Sequence, residues 1–379
     1  MKKIILMFIL LIPYPVLAIE TNAKSSVLIE TSSKTVLSEQ EKDVELPPAS
    51  MTKMMTLLLV MEKLSEGKIS LDDMVPISAY SSSMGGSQVY LEEGVSYKLE
   101  TLLKSVAIAS ANDAAVALAE YVAGSKDEFI KLMNEKVKEL GLKHTNFKNV
   151  HGLDEEGHYS SAYDMAMIGL ELLNHPKILD YTKIYEDYVE HPNGNKTWIV
   201  NTNKLINYYE GVDGLKTGFT NNSGYCITVT AKRGNMRLIS VVMGEADNKI
   251  RNQDIMSLLN YGFSNFKLET VVEPNANLGS INIKFGKKDK AKVSMARDAV
   301  DLVNISEENS YSYEVVKHDL KAPIKKGTVA GKVNIYANET KVNEIDLIID
   351  EDINKAGFFT LLRRNLNKLL KGSLQTFIK

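Results

Sequence analysis

The chain has 379 residues, of which 44% are hydrophobic and 25% are charged, and its formal net charge is -3. This composition is typical of a globular protein, is long enough for two domains and argues against a disordered chain. A slightly negative net charge gives no electrostatic support for a nucleic-acid partner, so we expect none.

The N-terminus has the pattern of a secretory signal peptide. Lys2 and Lys3 precede an apolar run at residues 4–12, and Val16–Ala18 ends in a small residue at the usual cleavage position. We therefore expect export, with residues 1–18 removed. The alternative is an uncleaved membrane anchor, but the run is shorter than the roughly 20 apolar residues that a spanning helix needs.

The first predicted elements lie on either side of two prolines, Pro47 and Pro48. Strand-forming residues at Ser26–Glu30 and Thr35–Ser38 flank a turn and predict a hairpin before the prolines. Proline cannot occupy a helix interior, whereas helix formers and apolar residues follow Ser50. We therefore expect a helix to begin close to Ser50.

A buried helical region follows the loops and short strands that are predicted for residues 67–97. Alanine, leucine and valine dominate Leu99–Val122, but Ser110 and Asn112 lie in its middle. Serine and asparagine side chains compete for backbone hydrogen bonds, so we expect a break between two helices that presents both residues to a cleft. Two amphipathic helices are predicted after it, at Lys126–Leu140 and Ala162–Leu173.

The next part of the chain predicts a sheet covered by a helix. Tyr225–Lys232 and Arg237–Met243 are β-branched and apolar, which favours an antiparallel hairpin, and Lys216–Gly218 should lie on the adjacent strand. The spacing of apolar residues in Ile250–Phe266 predicts a helix that packs back on this sheet. The only cysteine, Cys226, lies in a predicted strand, so we expect a buried structural thiol and no intrachain disulfide.

These elements predict an α+β domain, with helices on an antiparallel sheet, at residues 19–270. Short alternating segments with frequent turn residues predict a small β-rich domain at residues 271–351. Residues 352–379 predict a basic amphipathic helix, because apolar residues line one face of 354–379 and no acid follows Asp352. We expect this helix to lie in an anionic membrane interface, the alternative being that it packs on its own protein.

Three short motifs occur in order along the chain, each in a different predicted local structure. Ser50 and Lys53 are three residues apart at a helix start, which places a hydroxyl and an amine on one helix face. Ser110 and Asn112 lie at the break between two helices, and Lys216–Gly218 lies on a strand. One four-residue pattern recurs by chance, whereas three in this order favour a serine nucleophile with an amine base.

Four stretches carry a resemblance to low-molecular-weight penicillin-binding proteins, the serine D-alanyl-D-alanine carboxypeptidases. They are Pro48–Thr56, Ser110–Ala115, Asn149–Leu153 and Asp213–Gly218, and the similarity runs from about residue 23 to residue 266. The β-rich segment and the basic helix resemble that family's second domain and membrane anchor. The resemblance implies removal of the terminal D-alanine from peptidoglycan stem pentapeptides at the outer face of the cytoplasmic membrane, without a metal or organic cofactor, and acylation by β-lactams.

The resemblance also implies the residues that carry out the chemistry. Ser50 attacks the carbonyl between the two D-alanines, and Lys53 takes its proton. Lys53 must be neutral to do so, which burial and the nearby cation Lys216 would favour by lowering its pKa. Ser110 relays a proton to the leaving amine, and Asn112 holds Lys53 and the substrate amide.

Further residues are implied for binding. Backbone N–H groups of Ser50 and Phe219, the residue after Gly218, form the oxyanion hole. Lys216 and Thr217 bind the free carboxylate of the substrate. Arg251 corresponds to an arginine that helps at this carboxylate in the family, the alternative being a surface arginine at a helix start.

Some features depart from the pattern or compete with it. Phe219 stands where some relatives have histidine, which puts a side-chain contribution there in doubt. Glu171–Asn174 resembles the Glu-x-x-Leu-Asn element of class A β-lactamases with one residue too few, so we interpret Glu171 as a solvated residue. We expect His151 to be held by its loop neighbours rather than to be catalytic.

A β-lactamase or esterase on the same scaffold and a non-catalytic penicillin-sensing receptor stay open as alternative functions.

Overall fold

A five-stranded antiparallel sheet with helices on both faces forms the first of two units in this computed structural model. Residues 19–273, 275–364 and 366 are described, and the chain divides between Ser264 and Asn265, six residues before the predicted boundary. The strands of this unit are β1 (Ser25–Glu30), β2 (Val36–Gln40), β3 (Met74–Pro76), β4 (Ser96–Lys98), β5 (Glu186–Glu190), β6 (Lys196–Val200), β7 (Val212–Thr220), β8 (Gly224–Arg233) and β9 (Met236–Glu245). Its helices are α1 (Lys53–Ser65), α2 (Ala79–Ser82), α3 (Leu99–Ala109), α4 (Asn112–Ala123), α5 (Lys126–Glu139), α6 (Ala162–Leu173), α7 (Leu179–Thr182), α8 (Leu205–Tyr208) and α9 (Asn248–Asn265), with 3-10 turns at Ala49–Thr52 and Pro176–Ile178.

The strand order is β2-β1-β9-β8-β7, which makes β7 an edge strand. Two glycines show how the helices cover the two faces. A Cβ on Gly169 of α6 would lie 2.5 Å from Ile239, and one on Gly262 of α9 would lie 2.5 Å from Leu238. Successive strand residues point to opposite faces, so α6 and α9 pack on opposite sides of β9.

Helix α1 lies in the core of the first unit. Its residues from Lys53 to Met61 are all buried, as expected for a helix that is apolar around most of its circumference. The predicted break between two helices is present, because α3 ends at Ala109 and α4 begins at Asn112. Residues 180–211, whose sequence is too irregular for an assignment, contain the β5–β6 hairpin and the short helix α8, and α7 lies at their start.

The second unit is a β structure, as predicted. A six-stranded sheet has the order β14-β16-β17-β12-β11-β15, and β10 pairs with β13. Its strands are β10 (Phe266–Val272), β11 (Ser280–Lys284), β12 (Lys290–Met295), β13 (Ala299–Asn304), β14 (Tyr311–Lys317), β15 (Leu320–Lys321), β16 (Val329–Ala337) and β17 (Thr340–Ile349). The sequence interpretation did not identify β10, β13, β15 and β17.

The predicted terminal segments are covered only in part. The signal peptide at residues 1–18 lies outside the described residues, as do residue 365 and residues 367–379 of the C-terminal segment. Residues 358–364 and 366 are helical. Within the described part of the chain, no helix combines the length and the apolar character that crossing a membrane requires.

Candidate active site

The predicted nucleophile and base are neighbours at the start of α1. Ser50 lies in the 3-10 turn, and the Lys53 Nζ is hydrogen-bonded to the Ser50 Oγ at 3.0 Å. Lys53 Nζ also donates to the backbone carbonyl of His151 at 2.6 Å, and the Lys53 residue is completely buried. Ala49, just before the serine, has a φ of 47°, a strained left-handed conformation that sets the entry into the turn.

The surroundings of Lys53 favour its neutral form. Burial in a low-dielectric environment lowers its pKa well below 10.5, and the positive charge of Lys216 lowers it further. Asp113 has the opposite, smaller effect on this pKa. A buried lysine with a lowered pKa, next to a serine hydroxyl, can act as a general base in its neutral form.

Two glycines let other segments approach the serine turn closely. A Cβ on Gly218 would lie 2.9 Å from the Pro48 carbonyl oxygen and 3.0 Å from the Ser50 nitrogen. A Cβ on Gly152, whose φ is +89°, would lie 1.9 Å from the Ala49 oxygen. The turn is therefore packed between β7 and the 151–152 segment, and glycine is required at both contacts.

Ser110 and Asn112 lie at the break between α3 and α4. Ser110 caps α3 with a left-handed φ of 62°, and its Oγ is buried without a hydrogen-bond partner. The Asn112 Nδ2 donates to the Gly85 carbonyl at 2.7 Å, while its Oδ1 is buried and unpaired. The expected hydrogen bond from Asn112 to Lys53 is not formed: the Asn112 Oδ1 has no partner, and the Lys53 nitrogen is bound to Ser50 and His151. Unpaired buried polar atoms here are suited to meet a ligand.

The predicted carboxylate-binding residues lie on β7 and α9. Lys216 is 1% exposed, and burial together with Arg251 lowers its pKa to about 7. Thr217 is also buried, on the strand position between Lys216 and Gly218. Arg251 is buried rather than a surface residue, its Nη1 donates to the Cys226 carbonyl at 3.5 Å, and burial lowers its pKa to about 10.

Phe219 follows Gly218 on the edge strand β7, and half of its surface is exposed. Its ring packs against Tyr225, with the ring centroids 4.3 Å apart. Tyr225 is its partner in the β7–β8 register. The side chain therefore has a structural contact of its own, while the backbone continues the edge strand that borders Ser50.

The structure also places the residues to which no chemistry was assigned. Cys226 is buried on β8, and burial raises the pKa of its thiol to about 11. Glu171 accepts a hydrogen bond from Asn174 and lines a cavity of about 500 Å³ whose wall contains none of the predicted site residues.

The contribution of His151 was missed by the sequence interpretation. Burial lowers the pKa of its imidazole to about 3, and its Nδ1 accepts the N–H of Leu153, so the ring is held by its loop as predicted. Its backbone carbonyl, however, is a direct partner of Lys53. The only local signal was the His151-Gly152 pair itself, since glycine indicates a close backbone approach. No group of three or more potential metal-ligating side chains is clustered among the described residues.

Comparison with known proteins identifies the family. Residues 14–247 match the peptidase family described as D-alanyl-D-alanine carboxypeptidase, and residues 266–355 match the C-terminal domain of penicillin-binding protein 5. The chain belongs to the D-alanyl-D-alanine carboxypeptidase family. This family consists of serine hydrolases that act on peptidoglycan peptides through an acyl-enzyme and bind β-lactams as penicillin-binding proteins. The resemblance inferred from the motifs and the predicted α+β fold are thereby confirmed.

Individual relatives align with most of this chain. D-alanyl-D-alanine carboxypeptidase DacF of Bacillus subtilis is 44% identical over 92% of this chain and 90% of its own length. DacC of Escherichia coli is 37% identical over 89% and 86%. The crystal structure of penicillin-binding protein 5 from Haemophilus influenzae superposes with a TM-score of 0.71 and 33% identity, covering 89% of this chain and 99% of that one.

Proposed function

We propose that this enzyme removes the C-terminal D-alanine from peptidoglycan stem pentapeptides, with Ser50 as the nucleophile. The observation that carries the proposal is the hydrogen bond of 3.0 Å between the Ser50 Oγ and the buried Lys53 amine. Because burial and Lys216 lower the pKa of Lys53, its free base is accessible at a pH where an ordinary lysine is charged. The names of the relatives support the same reaction.

The reaction proceeds in two steps. In the first, Ser50 Oγ attacks the carbonyl carbon of the penultimate D-alanine while Lys53 takes the hydroxyl proton. The proton passes through Ser110 to the leaving nitrogen, the C–N bond breaks and free D-alanine departs. In the second, water attacks the ester, and Ser50 regains its proton as the shortened peptide leaves. Splitting an amide hydrolysis in this way replaces one difficult step by two easier ones.

Binding groups surround the scissile bond. The N–H groups of Ser50 and Phe219 stabilise the oxyanion, a role that the close approach of Gly218 to the Ser50 nitrogen supports. Lys216 and Thr217 bind the terminal carboxylate with help from the buried Arg251. Asn112 binds the amide of the acyl chain through its Oδ1, which is buried and has no hydrogen-bond partner. A requirement for the free carboxylate makes the enzyme a carboxypeptidase.

The test compares a peptide ending in D-Ala-D-Ala with its L-Ala-L-Ala counterpart and measures the alanine released. We expect release from the first only, and none from the Ser50→Ala variant. Ser65→Ala is the matched control, because Ser65 lies at the other end of the same helix. Equal cleavage of both peptides, or activity that survives Ser50→Ala, would contradict the proposal.

A β-lactamase would also become acylated at Ser50, but it would release the product quickly. Glu171, the residue that resembles a deacylating glutamate, is hydrogen-bonded to Asn174 and lines a cavity away from the site. We therefore expect labelled penicillin to stay bound to the wild-type enzyme after excess label is removed. Rapid loss of the label with multiple turnovers would favour a β-lactamase.

We also propose that the enzyme is exported and held at the anionic outer face of the cytoplasmic membrane by residues 354–379. Support comes from the described part of that segment, where four large apolar side chains on a helix are exposed, namely Phe358, Phe359, Leu362 and Leu366. Basic residues accompany them and no acid follows Asp352. Deleting residues 354–379 should abolish sedimentation with anionic vesicles; persistent sedimentation would show that another element holds the protein.

A further inference from the structure

Residues 85–91, here termed the 85–91 loop, are fastened to the first residue of α4. The Asn112 backbone N–H donates to the Ser87 carbonyl at 2.7 Å, and its side-chain Nδ2 donates to the Gly85 carbonyl at 2.7 Å. Asn112 therefore holds the loop at two points, and the loop in turn holds the Asn112 amide.

The next residue, Asp113, fixes the other half of the loop. Its fully buried carboxylate accepts backbone N–H groups from Val89 at 3.0 Å, from Leu91 at 3.2 Å and from Ala114 at 2.9 Å. Charge-assisted hydrogen bonds of this kind are strong, and a buried carboxylate requires them to offset its desolvation. Between the two anchored residues, Tyr90 adopts a left-handed φ of 61° with its side chain exposed.

The loop determines where the Asn112 side chain points. The Gly85 carbonyl is the partner of its Nδ2, and its Oδ1 is unpaired. Gly86 lies against the same amide, since a Cβ there would come within 2.9 Å of the Nδ2. A shift of the loop would therefore release or displace the side chain that meets the substrate.

We propose that Asp113 is a positioning residue for acylation: by fastening the 85–91 loop it holds Asn112 in the orientation that binds the amide of the acyl chain. This inference rests on the proposed function, in which Asn112 recognises that amide. It has a specific consequence. Acyl donors that carry a side-chain amide depend on Asp113, whereas donors that lack this amide do not.

The test uses two penicillins that differ in that group. Benzylpenicillin has an amide-linked side chain, and 6-aminopenicillanic acid has a free amine in its place. For Asp113→Asn we expect the second-order acylation rate constant to fall about tenfold with benzylpenicillin, the size of one lost hydrogen bond, and less than about threefold with 6-aminopenicillanic acid. A merely structural defect would slow both reactions equally.

Two controls keep destabilisation apart from positioning. Leu118→Ala removes a buried side chain from the same helix, so it should lower the melting temperature while leaving both acylation rates within about threefold. Gly86→Ala should reproduce the loss that is selective for benzylpenicillin, because its Cβ displaces the Asn112 amide directly. Gly94→Ala is its matched control, since Gly94 also has a positive φ, of +74°, but a Cβ there meets nothing within 4 Å.

The outcomes separate the two proposals. An equal loss with both penicillins in Asp113→Asn, or no loss with either, overturns the positioning role and leaves the proposed function standing. Failure of wild-type enzyme to be acylated at Ser50 by benzylpenicillin overturns both.

Discussion

The two units of this enzyme differ in what they bury. In the first unit, Lys53, Lys216, Arg251 and Asp113 are all buried, together with many neutral polar side chains. In the described residues of the second unit, the buried side chains are apolar, and ion pairs such as Lys332–Glu344 lie at the surface. The second unit follows the ordinary preference of proteins for an apolar interior, and the first departs from it.

The buried charged side chains indicate that the first unit carries out the chemistry. Burying a cation is costly unless it is paired, and burial here makes Lys53 and Lys216 easier to deprotonate. An exposed lysine such as Lys332 has its charge stabilised by water and by Glu344. We therefore expect that replacing a buried charged residue of the first unit increases stability and lowers activity. Replacing a surface charged residue of the second unit should change neither.

The largest effect should come from removing the proposed base, the buried Lys53. Lys53→Met keeps the length of the side chain but has no group to accept the Ser50 proton, so we expect acylation by labelled penicillin to slow by about 10²–10⁴-fold. Stopped-flow or time-resolved labelling measures this rate. A loss smaller than about tenfold would show that another group is the base and that burial of Lys53 does not serve the chemistry.

The second prediction concerns stability, where removing a charge from the site should help. Burial lowers the pKa of Lys216 from 10.5 to about 7, which corresponds to a destabilisation of at most about 5 kcal/mol. Between these pH values the unfolded chain binds more protons than the native one, so stability rises with pH. The penalty is complete below about pH 7 and disappears near pH 10.5.

Lys216→Met should therefore raise the melting temperature at pH 6.5, with a gain that shrinks as the pH approaches 10.5, while carboxypeptidase activity falls. Calorimetry across this pH range measures the difference. A variant that is less stable than wild type at pH 6.5 would contradict the claim that burying this amine is destabilising.

The third prediction concerns acid sensitivity. His158 is buried, accepts the Lys148 N–H at its Nδ1 and contacts the Thr52 hydroxyl through its Nε2 at 2.8 Å. Burial lowers its pKa from 6.5 to about 4, so the unfolded chain binds the proton first, and about 3 kcal/mol of stability should be lost as the pH falls from 6.5 to 4.

Denaturant unfolding of His158→Gln should show a flatter dependence on pH over that interval than wild type. His318→Gln, an exposed position in the second unit, is the control and should keep the wild-type slope. Identical slopes for wild type and His158→Gln would show that His158 does not cause the loss of stability at low pH.

The smallest effect should come from the surface of the second unit. Lys332→Ala breaks its ion pair with Glu344, but solvent screens both partners, so we expect no measurable change in melting temperature or penicillin acylation. A clear loss of acylation in this variant would show that the second unit influences the chemistry.

Much of the site could be predicted because its parts are local. Pro47 and Pro48 fix where a helix can start, which places Ser50 in the first turn with Lys53 on the same face. The competition of Ser110 and Asn112 for the backbone marks the break between α3 and α4. Strands β10 and β13 were missed because they pair with each other across the intervening β11–β12 hairpin and left little local signal, whereas β17 was missed although it forms a tight hairpin with β16.

The sequence by itself determined the order of the motifs, the family and the α+β fold, because each depends on spacing along the chain. Tertiary structure alone decided that Lys53 is fully buried, that the His151 carbonyl holds its amine and that Gly152 and Gly218 admit two segments to the serine turn. These facts join residues 98 to 170 positions apart. A low pKa and a close approach come from such contacts, which no local pattern encodes.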